Sequence, residues 1–173
     1  MEPIFESGMQ FGPYSDEEVF WIEKSQLYTR RLQPNGVKCC EFILKRGKTI
    51  YFIEAKTSCP NQLTADSAEE KRIKYNEYIE DITEKMRHSI ATYASLLLNR
   101  HQIDESLPPD LAKKDLSKTT LKLILVVKTA EASWLIPLKD VLNRKLRKDS
   151  CIWRDVQLYA INEAKARELH LVI

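Results

Sequence analysis

Two apolar runs, residues 37–44 and 49–55, are joined by the basic stretch Lys45-Arg46-Gly47-Lys48, and together they read as a β-hairpin. Strands this hydrophobic are buried on both faces and exclude ionised side chains unless those are paired, hold a metal or do chemistry. Three charges break the rule: Glu41 in the first run, and Glu54 and Lys56 at the end of the second.

Parity decides whether these charges can meet. With an even-length turn that sets Leu44 opposite Thr49, Glu41 faces Phe52 and lies diagonal to Glu54 on the same side of the sheet. Lys56 shares that side by alternation, and an odd turn would separate Glu41 from the other two. Arg46-Gly47 is a poor two-residue turn pair, so a four-residue loop of the same parity is expected.

The rest of the chain supplies the covering layers. Residues 1–14 show no clear period and read as irregular. Ser15-Asp16-Glu17-Glu18 matches a capping box, whereas the β-branched and aromatic VFWIEK after it favours a strand, and both readings stay open. SQLYTRRL makes a short helical turn that QPNG ends. Ser67 is expected to cap a long helix in which Ile79, Ile82, Met86, Ile90, Tyr93 and Leu97 recur at three and four, lasting to about Arg100. Residues 102–119, with Pro108-Pro109, form a long connection and the expected place for mobility. LKLILVVK at 121–128 has no polar face and must lie centrally beside the hairpin. A helix over about 138–148 follows, then a strand at 156–161 and a short helix from about Glu163. At 173 residues this is one α/β domain, 1–173, a mixed sheet flanked by helices.

Composition narrows little further. Lys+Arg 27 against Asp+Glu 25 leaves +2, so net charge selects no partner. Cys39, Cys40, Cys59 and Cys151 have neither zinc nor disulfide spacing, and the adjacent pair is expected to point to opposite faces of a strand. With no apolar run of membrane length and no leader-like N-terminus, a soluble, cytoplasmic protein without membrane contact is expected.

Two carboxylates on one sheet face either share a proton or hold a cation. Oxygen ligands without His or Cys select Mg²⁺ or Mn²⁺, and a lysine two residues on can orient or deprotonate a water or offset charge on a phosphoryl oxygen. Glu41, a gap, then Glu54-Ala55-Lys56 at a strand end, followed by a long helix and an apolar strand, resembles the PD-(D/E)xK nuclease superfamily, the restriction-endonuclease-like fold. The resemblance spans about residues 19–128. It implies Mg²⁺- or Mn²⁺-dependent hydrolysis of DNA or RNA phosphodiesters, with Glu41, Glu54 and the Ala55 carbonyl as metal ligands and Lys56 serving the attacking water. It also implies an N-terminal acid, for which Glu23 is the candidate. Cys40-Glu41 stands where the family has Pro-Asp, which leaves a second expectation: a noncatalytic module on the same fold, binding nucleic acid or protein, with protein partners or a second copy of the chain.

Other residues carry plainer readings. Lys85 and Ser89, one turn apart, could reach a phosphate but read first as a helix border and a core contact. Lys45, Arg46 and Lys48 could touch a nucleic-acid backbone or simply solvate a turn. Cys59 would be reactive only with a lowered pKa, and His88, His101 and His170 show no metal spacing.

Overall fold

The computed structural model describes residues 2–61, 63–101, 107–112, 115–154 and 156–173. In chain order they form a small hairpin, β1 (Ile4–Glu6) and β2 (Met9–Phe11), then β3 (Val19–Phe20), β4 (Phe42–Arg46), β5 (Thr49–Lys56), α1 (Glu69–Leu97), α2 (Pro109–Ala112), β6 (Thr120–Val127), α3 (Ala132–Lys145), α4 (Arg147–Ile152), β7 (Gln157–Asn162) and α5 (Glu163–Glu168). The main sheet runs β3-β4-β5-β6-β7, antiparallel up to β5 and parallel from β5 to β7. β6 lies beside the hairpin because its apolar residues fill both faces.

One face carries Ile43, Ile50, Phe52, Leu123, Leu125 and Leu158, and α1 covers it with Ile79, Ile82, Met86, Ile90 and Tyr93. Phe42, Leu44, Ile53, Ala55, Ile124 and Val126 fill the other face under the β1–β2 hairpin and Ala166 of α5. The hairpin is zipped to residues 171–173: Gly12 N donates to Leu171 O at 3.1 Å, Ile173 N to Gln10 O at 2.9 Å and the Tyr14 hydroxyl to Leu171 O at 2.7 Å.

Several expectations are corrected. The first 14 residues are not irregular. Ser7 and Gly8 both take positive φ, which matches the twist of a two-residue hairpin turn, and strands this short leave too little sequence for a period to show. The β4–β5 turn is Gly47-Lys48, with Gly47 at φ 54°, so Arg46 pairs with Thr49 and the register slides by two residues at unchanged parity. Phe52 therefore faces Ile43, not Glu41. The ladder begins at Phe42 and not at Val37, because the segment before it bonds to α1: Lys38 N to His88 Nδ1 at 3.3 Å, Cys40 N to Ser89 Oγ at 2.8 Å, with Cys39 Sγ 3.7 Å from Thr92 Oγ1. Freed from strand alternation, Cys39 and Cys40 pack into the same core.

Ser15 starts no helix; its hydroxyl accepts from Glu17 N, and β3 follows. Ala68, not Ser67, precedes α1, and the Ser67 hydroxyl instead accepts from Thr64 N. α3 starts at Ala132 with Pro137 inside it, six residues before the expected start. Of the long connection, residues 102–106 and 113–114 lie outside the described residues, so the mobility expected there does too. Leu111 of α2 is fully buried in the core.

Candidate metal centre

Three chain segments each bring one carboxylate to the same place. Glu41 is fixed through its backbone, donating from N to Ile53 O at 3.0 Å and accepting at its carbonyl from Glu23 N at 3.3 Å. Glu23 sits in the 3-10 turn Ile22–Lys24 that follows β3, and so rides on the edge strand beside β4. Glu6 ends β1, and the turn after it is tied to the main sheet. Ser7 Oγ donates to Ala55 O at 2.9 Å and Lys128 Nζ donates to Gly8 O at 2.7 Å. One carboxylate oxygen from each of Glu6, Glu23 and Glu41 lies within 4.8 Å of the others.

Glu54 stands on the same sheet face as Phe52, under α1, with no exposed surface. Its Oε1 accepts from Lys85 Nζ at 2.8 Å and lies 3.3 Å from Lys56 Nζ. Lys56 also donates to Asp81 at 3.3 Å, and Lys38 closes on Asp81 and Glu84 at 3.1 Å each. The result is a file of alternating charge, Lys38, Asp81, Lys56, Glu54, Lys85. Asp81, Lys85 and Ser89 recur every four residues on one stripe of α1, and that stripe faces the end of β5. Ser89 Oγ fastens the stripe by donating to Lys85 O at 2.6 Å while accepting from Cys40 N.

Burial raises the Glu41 pKa to about 9, helped by a hydrogen bond with the Glu23 carboxylate and the charges of Glu54, Glu23 and Glu6. Burial also raises Glu6 and Glu54; for Glu54 the lysines pull the other way without cancelling the rise. Lys85 is the reverse case: burial would lower it, but the charge and hydrogen bond of Glu54, with the charges of Glu41 and Glu23, together raise it. Glu41 is 6 % exposed, yet its Oε2 has no hydrogen-bond partner among the described residues, and the same holds for Oε2 of Glu54. A buried carboxylate oxygen left bare costs on the order of 1–3 kcal/mol, more when charged, so such an oxygen points to a missing partner. An all-oxygen donor set without His or Cys fits a hard divalent cation of the Mg²⁺ or Mn²⁺ type.

Glu23 and Glu41 are thus gathered with Glu6, and Glu54 and Lys56 with Lys85 and Asp81, the charge of Glu54 acting on Glu41. The Ala55 carbonyl, also at this strand end, already accepts the Ser7 hydroxyl. Sequence reasoning missed Glu6, whose hairpin gave no periodic signal, and Asp81, which pairs with Lys38 and Lys56 and whose one signal was its four-residue spacing from Lys85 and Ser89. Lys85 has a specific partner and is more than a helix border. Around the site, Arg46 donates to the carbonyls of Leu169 and His170, and Lys45 pairs with Asp110 at 2.6 Å, so these two turn cations have structural work. Burial raises the Cys59 thiol pKa, the opposite of what a reactive cysteine needs. Among the described residues no helix is long and apolar enough to cross a membrane. Comparison with protein-family models, curated proteins and solved structures finds no match to this chain.

Proposed function

We propose that this chain is a metal-dependent phosphodiesterase of the nuclease type, hydrolysing DNA or RNA backbones on a restriction-endonuclease-like α/β fold. The observation that carries the reading is the Glu41 carboxylate: buried, with one bare oxygen, flanked by Glu6 and Glu23, and within reach of the Glu54 charge. The motif Glu54-Ala55-Lys56 supplies the link to nucleic acid through its family resemblance.

A Mg²⁺ or Mn²⁺ ion held by Glu41 and the carboxylates around it would supply Lewis-acid charge and lower the pKa of a nearby water. The chain's own residues divide the remaining work. Lys56, with 27 % of its side chain exposed, is fixed between Glu54 and Asp81 at the solvent end of the site. From there its ammonium can orient the attacking water or offset charge on a phosphoryl oxygen. In the hydrolysis the water oxygen joins phosphorus, the bond to the leaving ester oxygen breaks, and the proton lost by water is balanced by one returned to that oxygen. A groove of about 630 Å³ lined by Lys38, Lys74, Glu77, Tyr78, Glu80 and Asp81 lies beside Asp81, the partner of Lys56.

One observation favours the noncatalytic alternative. Lys56 is shared between two carboxylates at 3.3 Å each, an arrangement that also suits a purely structural ion network. Cleavage assays on single- and double-stranded DNA and RNA with Mg²⁺ or Mn²⁺ separate the two readings. Nuclease action requires that Glu54→Ala and Lys56→Ala each abolish cutting; cutting that survives both removes it, and salt-dependent binding without turnover supports the module.

A further inference from the structure

We infer that the centre is built for a single divalent cation, held by Glu6, Glu23 and Glu41, and that the Lys85 ammonium serves Glu54 as a permanent second cation. This rests on the metal-dependent reading above and specifies which carboxylates hold the ion.

The first ground is spacing. Three oxygens on one octahedral Mg²⁺ lie about 3–4 Å apart, and one oxygen from each of Glu6, Glu23 and Glu41 lies within 4.8 Å of the others, so the three carboxylates need only draw inward to share an ion. Within that cluster Oε2 of Glu41 is buried and bare, and so, outside it, is Oε2 of Glu54. They differ in what their other oxygen does. Oε1 of Glu54 is committed to Lys85 at 2.8 Å and faces Lys56 at 3.3 Å. A divalent ion approaching Glu54 would meet two ammonium groups, whereas Glu41 has carboxylates on both sides.

Lys85 cannot easily withdraw. Its side chain is 13 % exposed, and the helix turn beneath it is pinned by Ser89 to the backbone of Cys40, next to Glu41. An ion at Glu54 would therefore have to displace a buried, hydrogen-bonded cation already in place. The N-terminal hairpin tilts the balance further: Ser7 takes a lone pair of the Ala55 carbonyl, while the neighbouring Glu6 is carried toward Glu23 and Glu41. Lys85 is thus a positioning residue that occupies Oε1 of Glu54 and sets the number of ions.

The test is Mn²⁺ binding to the full chain, with stoichiometry from calorimetry and electron paramagnetic resonance. The wild type is expected to take one Mn²⁺. Glu6→Gln should weaken binding by at least about tenfold, the scale on which metal sites lose affinity when a supporting group goes. The double variant Glu54→Gln/Lys85→Met, which keeps the net charge, should stay within about threefold of wild type. Lys85→Met alone, which leaves Glu54 only the longer contact to Lys56, should take a second Mn²⁺. Two ions in the wild type would overturn the inference, as would one ion in folded Lys85→Met. Loss of binding in the Glu54/Lys85 double variant with Glu6→Gln unaffected would also overturn it, and the Glu6 and double variants decide the matter should Lys85→Met not fold. Each of these failures leaves metal-dependent cleavage standing, whereas no Mn²⁺ binding by the wild type removes both.

Discussion

Replacing Glu41 with glutamine should make the metal-free protein more stable relative to wild type as the pH rises. The native Glu41 carboxyl keeps its proton up to about pH 9, whereas an ordinary glutamate loses it near 4.5. Between those values the native state binds the extra proton, so the stability from this group is full below 4.5 and falls as pH climbs toward 9. The slope is about 1.4 kcal/mol per pH unit. At pH 7.5, three units above the ordinary value, the cost is at most about 4 kcal/mol. Glutamine keeps the shape and a hydrogen-bond donor toward Glu23 but does not titrate, so this slope vanishes. Urea denaturation in the presence of a chelator at pH 5.5 and 8 should show the difference between variant and wild type growing by about 2–3 kcal/mol, somewhat under the full slope because Glu6 and Glu54 retitrate in response. Parallel stability curves across this range would refute a protonated, cation-seeking Glu41. Saturating Mn²⁺ should then stabilise the wild type by about 2.7 kcal/mol at a hundredfold excess over Kd, and the variant much less.

Three further outcomes follow from the geometry. Lys85→Met should cost about 3 kcal/mol in the metal-free protein, because it strips the closest partner from a fully buried carboxylate. Adding Glu54→Gln should recover part of that loss, and strictly additive effects in a double-mutant cycle would contradict a coupled pair. Gly8→Ala should lose about 1–2 kcal/mol, because Gly8 holds φ +73° in the turn behind Glu6, and Mn²⁺ titration should show weaker binding as Glu6 shifts. Arg87→Ala, which unpairs the buried Asp149 from contacts of 2.8 and 2.9 Å, should cost about 2 kcal/mol in urea denaturation yet leave Mn²⁺ affinity unchanged.

The hairpin, the long helix and the central strand were legible because each carries an uninterrupted period or a wholly apolar run. Parity across the hairpin survives the two-residue slide and puts Glu54 and Lys56 on one face, but Glu41 precedes the ladder, its N bonding Ile53 O off the register, so alternation does not carry to it. Glu6 was not legible, since three-residue strands say almost nothing about themselves until their turn is anchored by Ala55 and Lys128. Nor was the departure of residues 37–41 from strand geometry, because the hydrogen bonds that decide it go to His88, Ser89 and Thr92, some fifty residues away. Pro137 misled in another way. Proline commonly marks a helix start, and here the packing of Leu135, Leu138 and Leu142 carries the helix through it.

The zipper between residues 10–14 and 171–173 has a consequence for the order in which the protein is made. Glu6 ends a hairpin strand tied twice, by its turn to Ala55 and Lys128 and by its far strand to Leu171 and Ile173, so while the chain is growing on the ribosome the first tie can form before the second. Residues 23, 41, 54 and 85 have long since emerged by then. Glu6 is thus brought beside Glu23 and Glu41 by ties to the main sheet and locked there by the last residues of the fold.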